Sequence, residues 1–187
     1  MARPIRISIA GGWYHVTARG HNRSRVFKDD RDHRHFLELV GEMVEQYRVE
    51  VHAYVLMPNH YHLLIRTPEA NISRALQWLN QSYGTWKNLK YGGSGQVFQG
   101  RFKSILVEGG AWNLALSLYL HFNPVAVKGL GWGKGMKKAE ALGLKKPSPE
   151  VVQARLETLL GHPWRSYRSY AGYEKGPEWL MMDDVLN

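Results

Sequence analysis

The chain has 187 residues, enough for one well-buried core, with 25 Lys plus Arg against 16 Asp plus Glu and a formal charge of +9. Such a balance suits a polyanionic partner such as nucleic acid. With no cysteine there are neither disulfides nor thiolate zinc sites, and no apolar run approaches the roughly 20 residues of a membrane span or forms a signal-peptide core, so a cytoplasmic protein with no membrane partner is expected.

In chain order, Ile7 to Arg19 reads as a strand. Asp29 or Asp30 caps a helix whose apolar residues Phe36, Leu37, Val40, Met43, Val44 and Tyr47 keep helical spacing. Val49, Val51, Ala53, Val55 and Met57 alternate as a strand, Pro58-Asn59 makes a tight turn, and His60 to Arg66 returns antiparallel. Asn71 caps a second helix with Ile72, Ala75, Leu76, Leu79, Tyr83 and Trp86 on its apolar side, stopped by Gly92-Gly93. Phe102 to Val107 fits a last strand, and Ala111 onward, apolar nearly all round, reads as a buried helix ending just before Pro124. The order is that of an α+β fold, a ferredoxin-like βαββαβ sandwich whose antiparallel sheet is covered by helices.

After Pro124 the character changes. Residues 129 to 146 are rich in Gly and Lys and suggest a mobile basic linker. Ser148-Pro149-Glu150 opens a short helix closed by Gly161. The tail from His162 to Tyr170 interleaves Trp164, Tyr167 and Tyr170 with Arg165 and Arg168. Aromatic faces stack on unpaired bases while arginine holds phosphate, so the tail is read either as a DNA-binding arm or as an anchor packed onto the core. The expected division is 1–130 for a catalytic domain and 131–187 for linker, short helix and tail.

Chemistry concentrates in two segments. On a strand, His60 and His62 point to one face about 6.5–7 Å apart, a spacing at which two imidazoles converge on a divalent cation. Alone the pair is weak, since the chain has 9 histidines. On the later helix Tyr119 and Asn123 are one turn apart, a phenol and a carboxamide on an otherwise apolar element. Packed over the His60/His62 strand they become a nucleophile and a third, oxygen ligand. The bland alternative is a core tyrosine and a C-terminal cap.

Several words in order carry a resemblance: Gly12-Trp13-Tyr14-His15-Val16-Thr17-Ala18-Arg19-Gly20, Asn22-Arg23, Val26-Phe27, Met57-Pro58-Asn59-His60-Tyr61-His62, Gln77-Trp78-Leu79-Asn80, Ser82-Tyr83, Val97-Phe98-Gln99-Gly100-Arg101-Phe102-Lys103 and Tyr119-Leu120-His121-Phe122-Asn123-Pro124-Val125. Over about the first 130 residues the chain resembles the single-tyrosine HUH transposases, most closely the REP-associated tyrosine transposases and their insertion-sequence relatives. It departs from them at Leu118 and Ala126, where family members often carry arginine.

The resemblance implies a DNA transposase, a single-strand endonuclease and strand transferase needing Mg²⁺ or Mn²⁺. His60, His62 and Asn123 would be metal ligands and Tyr119 the nucleophile that forms a 5′-phosphotyrosine on single-stranded or hairpin DNA, in a monomer or homodimer. DNA contacts are expected from Arg19, Arg23 and Arg25 after the first strand, from Gln99, Arg101 and Lys103 around the last, and from Trp164, Arg165 and Arg168. Two other classes stay open: a non-catalytic ferredoxin-like nucleic-acid-binding protein, and a metal hydrolase using a water-activating acid such as Glu108.

Overall fold

The computed structural model describes residues 7–108, 111–126, 130, 140 and 142–186. Strands β1 (Gly12–Arg19), β2 (Glu50–Met57), β3 (His60–Thr67) and β4 (Lys103–Val107) form one antiparallel sheet in the order β2-β3-β1-β4. Helices α1 (Asp30–Tyr47) and α2 (Ile72–Tyr91) link the strands as the ferredoxin-like reading expects, and α3 (Ala111–His121) follows β4. Among the described residues no helix is long and apolar enough to cross a membrane.

The alternation of each strand divides its side chains between two layers. Tyr14, Val16 and Ala18 of β1 and Tyr61, Leu63 and Ile65 of β3 face α1 and α2, where they meet Phe36, Val40, Met43, Leu79 and Tyr83 in the main core. Burying a large apolar side chain in such a core stabilises by about 1.5–3 kcal/mol. On the other face a smaller cluster joins Ala53, Val55 and Leu64 to Leu120 of α3. Helix α3 packs mainly on β2 and β3, and among the described residues Lys103 and Ile105 of β4 are exposed on the same face.

Local signals mostly hold. The Asp29 carboxylate accepts from Asp32 N–H at 2.9 Å and caps α1, and Ser148 caps α4 (Pro149–Gly161) through Val151 N–H. Gly92, at φ +60°, ends α2. Three expectations need correction. β1 starts at Gly12 rather than Ile7, because Gly11 turns the chain at φ +72°. Asn71 stands at the N-cap of α2, but its side chain makes no capping bond there; its amide donates to Tyr47 O at 2.7 Å and closes the end of α1 instead. Helix α3 is buried on one side only, leaving Trp112, Leu114 and Leu118 exposed.

The expected linker lies largely outside the described residues, but the C-terminal segment packs closely. Residues 164–166 pair with the outer edge of β2: Leu56 N–H donates to Trp164 O, Ser166 N–H to Tyr54 O, and Tyr54 N–H to Ser166 Oγ, at 2.8, 3.1 and 2.9 Å. Further on, Leu180 bridges Val51, and Met181 N–H donates to Val51 O. Short helices α5 (Tyr167–Tyr170) and α6 (Asp183–Leu186) complete the segment. An edge strand left open is a template for aggregation, and here the tail covers it.

Trp164 and Arg165, where DNA contacts were expected, therefore pack within the chain, Trp164 half-buried and Arg165 fully so. The Trp164 ring stacks on His33 at 4.6 Å, and Arg165 has no exposed surface, its guanidinium lying 4.9 Å from the Tyr167 ring. Arg168 is tied to Glu174 by a 2.7 Å ion pair. At these positions the tail packs against the sheet edge, against α1 and against itself.

Burial holds several imidazoles neutral. His121, beside the positive Arg165, and His162 are both pushed down to about 4 by burial. The unfolded chain, with histidines near 6.5, then binds more protons than the folded one between those limits. Stability should be complete above pH 6.5 and fall as pH drops from there toward 4, by up to about 1.4 kcal/mol per pH unit for each such group. Urea midpoints measured at pH 7.5 and pH 5 test this; equal midpoints would remove the assignment of these histidines as buried and neutral.

Candidate active site

The β2–β3 turn at Pro58-Asn59 starts β3 at His60, so His60 and His62 stand on the face that α3 only partly covers. Tyr61 between them points the other way, fully buried, with its hydroxyl donating to Asn80 Oδ1 at 2.8 Å. The two imidazoles meet edge to face, ring centres 5.0 Å apart.

Strand β1 supplies a partner that the spacing of motifs did not single out. His15 Nε2 lies 2.9 Å from His62 Nδ1, the rings nearly parallel. The signal was present in the alternation of Trp13, His15, Thr17 and Arg19, since the sandwich order sets β1 beside β3 and the register pairs Thr17 with His62 and Arg19 with His60.

Asn59 is the second unforeseen residue. Its Oδ1 can only accept, and its Nδ2 donates to Arg23 O, so the 2.7 Å contact with His60 Nδ1 fixes the proton on that nitrogen and leaves Nε2 with a bare lone pair. On His62, Nδ1 is engaged by His15, while Nε2 receives Asn123 Nδ2 at 3.4 Å. Both rings thus present a nitrogen suited to a cation, and turning the Asn123 carboxamide over would present its oxygen.

Helix α3 ends at His121, and Asn123 opens a 3₁₀ turn (Asn123–Val125) one turn beyond Tyr119. The Tyr119 ring stands edge-on to His15 and His62, ring centres 5.9 and 6.2 Å away, and is 46% exposed. His121, on the opposite side of the helix, bonds Ser166 Oγ at 2.9 Å and ties α3 to the tail.

The electrostatics favour neutral imidazoles. Burial, then the charges of His60, His15 and Arg19, push His62 down to about 3. Burial and Arg19 also lower His60, opposed by a hydrogen bond with Asn123, and burial lowers His15. An imidazole must be unprotonated to bind a metal, and burial favours that form for all three.

Basic residues rim the site. Arg19 is exposed across from His60, and Lys103 is exposed on the next strand across from Thr17. Arg23 and Arg25 lie on the exposed loop after β1, which Lys87 and Tyr83 hold by bonding Arg25 O and Val26 O. Gln99 N–H donates to Arg19 O, and Arg101 and Lys103 border a groove toward Gln77 and Asn80 of α2. Glu108 is set apart. It follows Val107, which pairs with Trp13, and so lies six strand residues, about 20 Å, from the end of β1 where His60 sits.

Residues 8–119 match the family of IS200-like transposases, over more than half of the chain. The chain belongs to that family. Among solved structures it is similar to a REP-associated tyrosine transposase bound to a REP hairpin, with a TM-score of 0.58 and 20% identity over 78% of this chain and 89% of that one, a likeness of fold. A proposed transposase from Deinococcus radiodurans r1 matches at a TM-score of 0.44 and 17% identity, over 58% and 85% of the two chains. No curated protein matches the sequence.

The Asn59 contact generates a direct test. Nitrogen NMR at pH 7.5 should find His60 protonated on Nδ1 and bare on Nε2, and Asn59→Ala should abolish that preference. A wild-type His60 with both tautomers equally populated would contradict the pre-set lone pair.

Proposed function

We propose that this IS200-like transposase nicks and rejoins single-stranded DNA through Tyr119, by way of a covalent 5′-phosphotyrosine. One observation carries the reading: the Tyr119 ring borders the His15/His62 pair, one turn from the carboxamide that touches His62. A phenol, two oriented imidazole lone pairs and a carboxamide converge beside an exposed arginine.

The donor set fits a divalent cation, with His60 Nε2, His62 Nε2 and the Asn123 oxygen as ligands; Mg²⁺ or Mn²⁺ bound there would neutralise charge growing on the scissile phosphate. The chain's own residues do the rest. Arg19, next to His60, takes a non-bridging phosphate oxygen, and its fixed charge needs no reorganisation as the transition state forms. Tyr119 Oη attacks phosphorus in line, its proton passing to solvent. The Tyr119 O–P bond forms as the bond to the 3′ oxygen breaks, and that oxygen takes up a proton to leave a free 3′ hydroxyl. Bond energy is retained in the phosphotyrosine, so rejoining is the reverse attack and requires no nucleotide triphosphate.

His15 and Asn59 act on the ligands rather than on the DNA, fixing ring orientation and tautomer. Arg23, Arg25, Gln99, Arg101 and Lys103 hold the strand by its phosphates, a sequence-independent and salt-sensitive grip. Hairpin DNA is the partner class we infer, on the strength of the hairpin carried by the structurally similar transposase. A water-activating hydrolase is disfavoured by the distance of Glu108 from the histidines.

Tyr119→Phe keeps the ring and removes one oxygen. It should retain fold and hairpin binding while losing the denaturant-resistant protein–DNA adduct seen with wild type and Mn²⁺. An adduct that persists would assign the nucleophile elsewhere. His60→Ala and His62→Ala should abolish cleavage yet bind hairpin DNA almost as wild type, as judged by gel shift. His15→Leu should weaken Mn²⁺ binding by about 10–100-fold, the usual effect of removing a residue that orients a ligand; unchanged affinity would reduce His15 to packing.

A further inference from the structure

Strand β2 contains a defect in its alternation. Val51 pairs with Ile65 and Ala53 with Leu64, so His52 is an extra residue, a β-bulge. The bulge sends Val51 into the main core and Ala53 into the smaller one, and it turns the His52 ring under the tail. That ring has no exposed surface and lies against the Trp13 indole, ring centres 4.2 Å apart. Its Nδ1 is 2.9 Å from Met181 O, which can only accept, so Nδ1 carries the proton. Nε2 is left as a buried lone pair with no partner within hydrogen-bond distance among the described residues, Glu50 Oε2 lying just beyond it at 3.6 Å.

Nε2 points into a pair of carboxylates. Glu50 Oε2 is 3.6 Å away, and Asp184 of α6 brings a third ligand atom, all three within 4.8 Å of one another. We propose that Glu50, His52 and Asp184 form a second divalent-cation site, of the Zn²⁺ class, which clips the C-terminal segment to the edge of the sheet. One imidazole with two carboxylates suits Zn²⁺ better than Mg²⁺, and water would complete a four-coordinate set. The Nδ1–H···O=C bond of His52 is the arrangement that orients metal-bound imidazoles. Asp184, exposed on a four-residue helix, can close the remaining distance.

This site is not the His60/His62 centre. Glu50 pairs with Arg66 and Met57 with His60, at opposite ends of the β2–β3 hairpin, roughly 20 Å apart. Asp184 also lies outside the 8–119 span that matches the family. The Arg66 guanidinium, 3.0 and 3.4 Å from the Glu50 oxygens, sets the strength of binding. A carboxylate has about four lone-pair sites and can hold Arg66 and a cation together, but the like charge opposes the cation.

The test silences the other centre first. Full-length protein carrying His60→Ala and His62→Ala should still bind one equivalent of Zn²⁺, read by competition with a chromophoric chelator, and Zn²⁺ should raise its melting temperature. Adding Asp184→Asn, an exposed change that leaves the core intact, should weaken that binding by at least about 10-fold and abolish the melting shift. Arg66→Gln should tighten it. Zn²⁺ should also slow proteolysis after residue 170 in the Asp184-containing protein alone. Absence of Zn²⁺ binding in the His60/His62 variant, or equal binding with and without Asp184, would overturn the proposal.

Discussion

Strand β3 must serve two incompatible environments at once, and the rest of the molecule depends on how it does so. Tyr61, Leu63 and Ile65 fill the oily layer beneath α1 and α2, while His60 and His62 face outward under the end of α3. A slip of one residue would bury both imidazoles in the main core and expose three large apolar side chains. The register with β1 is therefore strongly specified by burial, and the same register brings His15 to His62 and Arg19 to His60. Site geometry is inherited from core packing.

The His60/His62 hairpin, both long helices and the Tyr119 helix were legible because their patterns are simple: period two, period 3.6, a Pro-Asn turn, an Asp cap and a Gly stop. The features that were not legible depend on contacts between distant segments. His15 became significant only beside β3, and Asn59 only through its bond to His60. The bulge at His52 breaks the alternation rule without any glycine or proline to mark it. Helix α3 was expected to be buried because it is apolar all round, yet one side of it stays exposed.

The tail illustrates the limit of composition. Alternating Trp, Arg and Tyr describes a strand-stacking arm and a packed anchor equally well. The free edge of β2 decides between them, since it offers backbone groups that Trp164 and Ser166 satisfy, after which Arg165 has nowhere to go but inward. Helix α3 is braced by the same segment, through the His121 bond to Ser166 and through Val185 beneath Leu120. Tyr119 is carried on a helix that rests on β2 and β3 and is braced by the tail.

The partners of β2 in the tail lie 106 to 129 residues further along the chain. During synthesis the sheet, both long helices and the imidazole pair leave the ribosome well before the residues that cover β2 and brace α3. Such long-range closures are among the slowest steps of folding. A nascent chain therefore assembles its imidazole pair before the segment that braces the Tyr119 helix has been made, and the order of translation separates the forming of the sheet from the seating of that helix.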